Sequence, residues 1–273
     1  MKYIDCQKYA QEILDEVKAT PVKGKLVIIT VGEDPASQVY VKGKIRDCEY
    51  CGIPVEHIKI EEGRYVRTRL RMTILKYNAD PKVAGIILQL PLPAPLNGAD
   101  YCKMIDPRKD VDGLGSDRYF QPCTPRGIVH LMKKELGDLI GKNVLIIGRS
   151  NLVGKPLAKM LTDEDCTVTL AHSKTTDPVM RMNDADVVVS AIGKANRWSL
   201  YYCANADMVI DVGINRDTDG KLCGDFCGFD EDEFGWMKVT PVPKGVGLLT
   251  RAMLMKNVAE ASERMVSGDV KQG

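Results

Sequence analysis

The sequence predicts an α/β protein made of two αβ units, and three observations carry that expectation. Short apolar runs rich in β-branched residues recur at 26–31, 83–88 and 144–147, as in buried strands. Helical periodicities lie between such runs, and this alternation implies parallel strands covered by helices. Between 106 and 125 the pattern gives way to a Pro-, Asp- and Gly-rich stretch without period, which marks a hinge between domains.

The elements follow in order. Ile4, Ala10, Ile13, Leu14 and Val17 recur at helical intervals, and Gly24 precedes the strand at 26–31. A helix is expected from Ser37 to Gly52, then strands at 55–60 and 83–88 separated by a helix at 67–77. Beyond the hinge come a helix at 126–136, a strand at 143–147, a helix at 156–161 and strands at 167–171, 187–191 and 208–212. An amphipathic helix at 247–265 closes the chain.

Composition narrows the function. Lys and Arg number 38 against 37 Asp and Glu, so the net charge of +1 provides no global field for a nucleic-acid backbone or an anionic membrane. Lys2, Asp5, Lys8 and Glu12 interrupt the N-terminal apolar positions, which is unlike a signal peptide. The longest apolar stretch, 83–96, is broken by Gln89 and prolines and falls short of the roughly 20 residues of a membrane span. Nine cysteines, an odd number, suit reduced thiols in a cytoplasmic protein. Cys48 with Cys51 and Cys223 with Cys227 could offer four thiolates, but no histidine accompanies the second pair and the first lies in a helical pattern, so no metal is expected.

Six places carry chemistry. The strand at 144–147 runs into Gly148-Arg149-Ser150-Asn151-Leu152-Val153-Gly154 and a helix, the arrangement by which a Rossmann-like domain faces backbone N–H groups toward a pyrophosphate. Ser150 takes the second glycine position and Gly154 comes one residue late, so a ligand-free structural turn is the competing reading. The next strand ends in Ala171-His172-Ser173-Lys174-Thr175 with no acid, which with Arg149 favours the 2′-phosphate of NADP over NAD, unless the loop is merely basic and solvated. Tyr40 and Lys44 share a helix face, where Lys44 is either a base in a partly apolar cleft or an ordinary surface charge. Gln89 is the one polar side chain at the carboxyl end of its strand, where open αβ sheets bind ligands. Asp110-Val111-Asp112-Gly113 suits a turn, a metal ligand or an acceptor for a substrate N–H. Near the end, Thr240-Pro241-Val242-Pro243-Lys244-Gly245-Val246-Gly247 is a rigid loop suited to covering a flat ligand or joining domains.

In this order the motifs resemble the bifunctional methylenetetrahydrofolate dehydrogenase/methenyltetrahydrofolate cyclohydrolase family. The resemblance rests on 31–41 with Lys44, Gln89-Leu90-Pro91-Leu92-Pro93, Lys109-Asp110-Val111-Asp112-Gly113, Pro122-Cys123-Thr124-Pro125, Gly148-Arg149-Ser150 with Val153-Gly154-Lys155-Pro156, and Thr240-Pro241-Val242-Pro243. It implies a folate-binding catalytic domain of 1–121 plus 246–273, to which the C-terminal helix returns, and an NADP-binding domain of 122–245. It implies tetrahydrofolate one-carbon derivatives as substrates and a homodimer. Lys44 would be the essential lysine of hydrolysis, Gln89 would tune it, Tyr40 would stack on the folate and Asp112 would hold the pterin. Pro243 and Gly245 would also touch the substrate, and Gly148, Arg149, Ser150, Val153, Gly154, Ser173 and Ile214 would bind NADP. Two features depart from the family pattern: Lys244 replaces a glycine, and the segment from Gly113 to Pro122 is shorter by about ten residues. Retention of one activity, or a non-catalytic NADP-binding dimer, are the alternatives on the same scaffold.

Overall fold

In the computed structural model, which describes residues 1–228 and 235–267, the β-branched runs form strands and the helical periodicities form helices. The chain divides into two units. The first comprises Gln11–Cys123 and the chain from Arg251 onward, the second Met1–Ala10 and Thr124–Thr250. The opening elements are β1 (Lys2–Tyr3) and α1 (Cys6–Lys18).

In the first unit β2 (Lys25–Val31) lies between β3 (Val55–Ile60) and β4 (Val83–Leu88), all parallel. Every residue of β4 is buried, as its unbroken apolar sequence requires of a strand covered on both faces. Parallel neighbours need crossover connections, here α2 (Pro35–Cys51) and α3 (Val66–Ala79); α4 (Gly98–Cys102) follows β4. Leu70 and Ile74 of α3 pack on Val27, Ile29 and Ile86. Helix α2 begins at Pro35, two residues before the expected Ser37. Asp34 caps it by accepting the Ser37 N–H at 2.7 Å, and Pro35 takes the first position, where its missing N–H costs nothing.

The second unit follows with α5 (Cys123–Leu136), β5 (Asn143–Ile147), α6 (Gly154–Thr162), β6 (Thr167–Ala171), α7 (Pro178–Asn183) and β7 (Val187–Ser190). Next come β8 (Trp198–Ser199), β9 (Met208–Asp211), β10 (Asn215–Arg216), β11 (Leu222–Cys223), β12 (Phe226–Cys227) and β13 (Lys238–Val239). Its main sheet is parallel, in the order β1-β13-β9-β7-β5-β6. The four expected strands are there, flanked by β13 and β1, which at two residues each are too short to show a period. Leu145, Val188, Val209, Trp198 and Phe226 belong to one buried cluster beneath this sheet.

The last helix, α8 (Val246–Ser267), returns to the first unit as expected. Lys256 pairs with Glu16 of α1 at 3.0 Å, and the Cys48 thiol of α2 reaches the Met255 sulfur at 3.5 Å. Among the described residues no helix is long and apolar enough to cross a membrane.

Candidate active site

Helix α2 carries Tyr40 and Lys44 one turn apart, and the sheet brings two further side chains to the lysine. Lys44 is only 8% exposed, so it is not the solvated surface charge that a helical lysine usually is. Its Nζ donates to Gln89 Oε1 at 3.1 Å and stands 3.9 Å from Asp112 Oδ2. Gln89 follows β4 directly, and its amide N–H donates to the Leu90 carbonyl at 2.8 Å. That bond turns the amide oxygen toward the ammonium. Tyr40 is exposed at 36%, but partial burial of its phenol raises it above its usual range.

The two acids of Asp110-Val111-Asp112-Gly113 divide the roles that the sequence leaves open. The Asp110 carboxylate accepts the Gly113 N–H at 3.2 Å and the Gly115 N–H at 2.6 Å, so it folds the turn. Burial pushes its carboxyl up to about 6. Asp112, two residues on, faces Lys44. The turn is held from behind by Asn257 of α8, whose amide donates to the carbonyls of Val111 at 2.7 Å and Gln121 at 3.1 Å. Sequence reasoning misses Asn257, and only the family resemblance, not the spacing, singles out Asp112 from Asp110. A polar residue on an amphipathic helix carries no sign that it is buried.

In the second unit β5 leads into Gly148, whose φ of 120° is open to glycine. A side chain there would meet the Ala191 carbonyl, and one at Gly154 would meet the Gly148 carbonyl. Both glycines are therefore required by close backbone approach. Ser150 Oγ accepts the Val153 N–H at 3.1 Å, and α6 starts without a side-chain cap. Its first N–H groups are the kind of donors that bind a pyrophosphate. Arg149 and Ser150 are exposed beside them. The neighbouring strand β6 ends at Ala171, opposite Ile147, and its turn is closed by His172 N–H donating to Thr175 Oγ1 at 2.9 Å. Ser173 and Lys174 are exposed on that turn. The donors and the missing acid fit a 2′-phosphate.

Ile214, 48% exposed, follows β9 in the same unit. Pro243 and Gly245 also fall there, ahead of α8, whereas Tyr40 and Asp112 belong to the first unit. Between Pro243 and Gly245, Lys244 has a φ of 72°, the left-handed conformation that glycine adopts without cost. The nine cysteines are free thiols. Cys48 and Cys51 lie in the first unit and Cys223 and Cys227 in the second; burial pushes the Cys48 thiol up to about 12. Among the described residues no group of three or more His, Cys, Asp or Glu is placed to hold a metal.

Comparison with known proteins gives a consistent result for both units. Residues 4–112 match the family model described as the tetrahydrofolate dehydrogenase/cyclohydrolase catalytic domain, and residues 122–266 the NAD(P)-binding domain of the same family. The bifunctional protein FolD of Agathobacter rectalis is 41% identical over 263 residues, covering 93% of this chain and 94% of its own. That of Streptococcus thermophilus is 41% identical over 275 residues, covering 97% and 96%. Among solved structures, the FolD methylenetetrahydrofolate dehydrogenase/cyclohydrolase of Campylobacter jejuni superposes with a TM-score of 0.89 at 35% identity, covering 97% of this chain and 99% of that one. The Trypanosoma brucei FolD, solved with NADP cofactor and an inhibitor, gives 0.85 at 28% identity over 97% and 98%.

Proposed function

This chain belongs to the tetrahydrofolate dehydrogenase/cyclohydrolase family, and we propose that it carries out both reactions of that name. It oxidises 5,10-methylenetetrahydrofolate to the 5,10-methenyl cation with NADP, then hydrolyses the cation to 10-formyltetrahydrofolate. The observation that carries this reading is the buried Lys44 ammonium held between Gln89 and Asp112, one turn from Tyr40. The proposed folate-binding part is 1–121 with 246–273 and the NADP-binding part 122–245. A homodimer and a cytoplasmic location complete the reading.

The division of labour follows from the chemistry. NADP, when bound, supplies the hydride acceptor. The cation left behind is delocalised over N5 and N10, so oxidation needs the folate held in place rather than a strong acid or base. Tyr40 offers a flat face for that purpose, and Asp112 an acceptor for pterin N–H groups. Hydrolysis asks for more. Water adds to the methenyl carbon and loses one proton, N5 takes a proton as its bond to that carbon breaks, and the remaining hydroxyl proton leaves as the formyl C=O forms, so that one proton is released overall. Lys44 is the group that holds and moves those protons, with Gln89 Oε1 fixing the direction of its ammonium. In the second unit Arg149 and Ser173 select NADP over NAD by bonding the 2′-phosphate.

A two-stage spectrophotometric assay tests the proposal. Supplied with methylenetetrahydrofolate and NADP, the enzyme is expected to form NADPH and then to discharge the methenyl chromophore. Accumulation of the chromophore without decay leaves only the dehydrogenase, and absence of both signals refutes the reading. A higher kcat/KM with NAD than with NADP refutes the assignment of Arg149 and Ser173.

A further inference from the structure

The second unit contains a buried carboxylate that neither reaction uses. Asp225 is 0% exposed and lies just ahead of β12. Its Oδ2 accepts the Ser190 hydroxyl at 2.8 Å and the Ile192 N–H at 3.0 Å, and its Oδ1 accepts the Lys194 N–H at 2.8 Å and the Asn215 amide at 3.0 Å. A second acid, Asp211 at the end of β9, supports it from behind by accepting the N–H groups of Gly213 at 2.9 Å, Asp225 at 3.0 Å and Phe226 at 2.9 Å. Two loops are thereby tied to one point. One leaves β7 through Ser190 to Lys194, and the other leaves β9 through Gly213 to Asn215.

Both loops stand at the carboxyl edge of the parallel sheet, where ligands of such sheets bind. The first packs directly on the glycine turn, since a side chain at Gly148 would strike the Ala191 carbonyl and lie 3.5 Å from Ile192. The second contains the half-exposed Ile214, between a residue bonded to Asp211 and one bonded to Asp225. We infer that Asp225 is a positioning residue for the NADP site, its carboxylate setting the backbone of 190–194 and 213–215 beside the Gly148 turn. The inference rests on reading the second unit as the NADP site.

A carboxylate suits this place because both of its oxygens accept and four donors converge on it. An amide in the same volume offers one acceptor and turns its own N–H groups against two of those donors. Asp225→Asn in the full chain is therefore the informative change, and cyclohydrolase activity, which consumes no NADP, is its internal control. The variant is expected to raise KM for NADP about tenfold or more, the scale of losing bonds to a charged acceptor, while hydrolysis of methenyltetrahydrofolate stays within about twofold. An unchanged KM, or equal losses in both reactions, overturns the inference and makes Asp225 an ordinary part of the core. If that variant does not fold, Asn215→Ala removes one donor and spares the carboxylate. It is expected to raise the same KM about threefold with hydrolysis unaffected, and an unaltered KM overturns the inference. An unaltered enzyme that reduces no NADP refutes the functional reading itself, an outcome seen before any variant is made.

Discussion

Lys44 is a long cation kept almost out of water, and its setting decides what its loss does. Lys44→Met keeps the length of the side chain but removes the group proposed to move protons. Hydrolysis is expected to fall about 10²–10⁴-fold while a substantial dehydrogenase activity remains, because hydride transfer asks only for position. Equal losses in separate assays of the two steps would make Lys44 a binding or folding residue. Lys244 is the opposite case, an exposed cation whose backbone is the issue. At a φ of 72° an L side chain is strained by roughly 1–2 kcal/mol, so Lys244→Gly is expected to recover about 1 kcal/mol of stability. Urea unfolding measures this, and a lower midpoint for the variant rules out backbone strain as the dominant effect. The spacing of Tyr40 and Lys44 and the position of Gln89 were legible in the sequence. Which acid of Asp110 and Asp112 faces the lysine was not. That depends on the backbone of Lys109, which accepts the Ile86 N–H at 2.7 Å and so aligns Asp110 beside β4.

At the scale of elements, start signals explain what reads directly from the chain. Asp34-Pro35 opens α2, and Gly52, in the left-handed conformation, closes it by donating its N–H to the Glu49 carbonyl. Strands β2 to β7 follow from their apolar runs. Strands β1 and β13 do not, since each is two residues long and Lys2 and Tyr3 are exposed. Helix α8 shows a different limit. Its apolar spacing predicts a helix but not its partner; its buried apolar face packs on the first unit, where Asn257 and Lys256 add polar bonds. Asn257 is buried with its amide on two carbonyls of the turn that carries Asp112, so Asn257→Ala leaves both acceptors without that donor. The expected cost is about 1–3 kcal/mol in urea unfolding, with weaker folate binding because the turn loosens. A variant of unchanged stability and KM would mean that the turn holds its shape without α8.

Across the whole molecule the chain is interleaved, with Met1–Ala10 in one unit and the next residues in the other. Alternation of helix and strand reveals two units but not such an exchange, because docking of a terminus is a tertiary event. The units do share one physical trait, a buried carboxyl that organises backbone N–H groups: Asp110 in the first and Asp211 in the second. Burial pushes each up to about 6 from an ordinary value of 3.8. A raised folded value means that the native state holds these protons more tightly than the unfolded chain. The resulting stability is fully present below 3.8 and is lost as pH rises through about 6, an effect of about 2–3 kcal/mol per group. Other acids act the other way. Glu56, bonded to Lys25 and Tyr77, and Asp106, bonded to Arg108, titrate below their usual range and stabilise the fold as pH rises. The net pH profile of the unaltered protein therefore does not isolate the buried pair, but a comparison with variants does. Asp110→Asn and Asp211→Asn each remove one titration and leave the rest. Both are expected to be less stable than the unaltered chain at pH 4.5, with the deficit shrinking by pH 7.5 as the native carboxyl ionises in place. Urea unfolding at the two pH values decides it: a deficit that stays constant or widens would show that these carboxyls are already ionised in the folded protein at the lower pH.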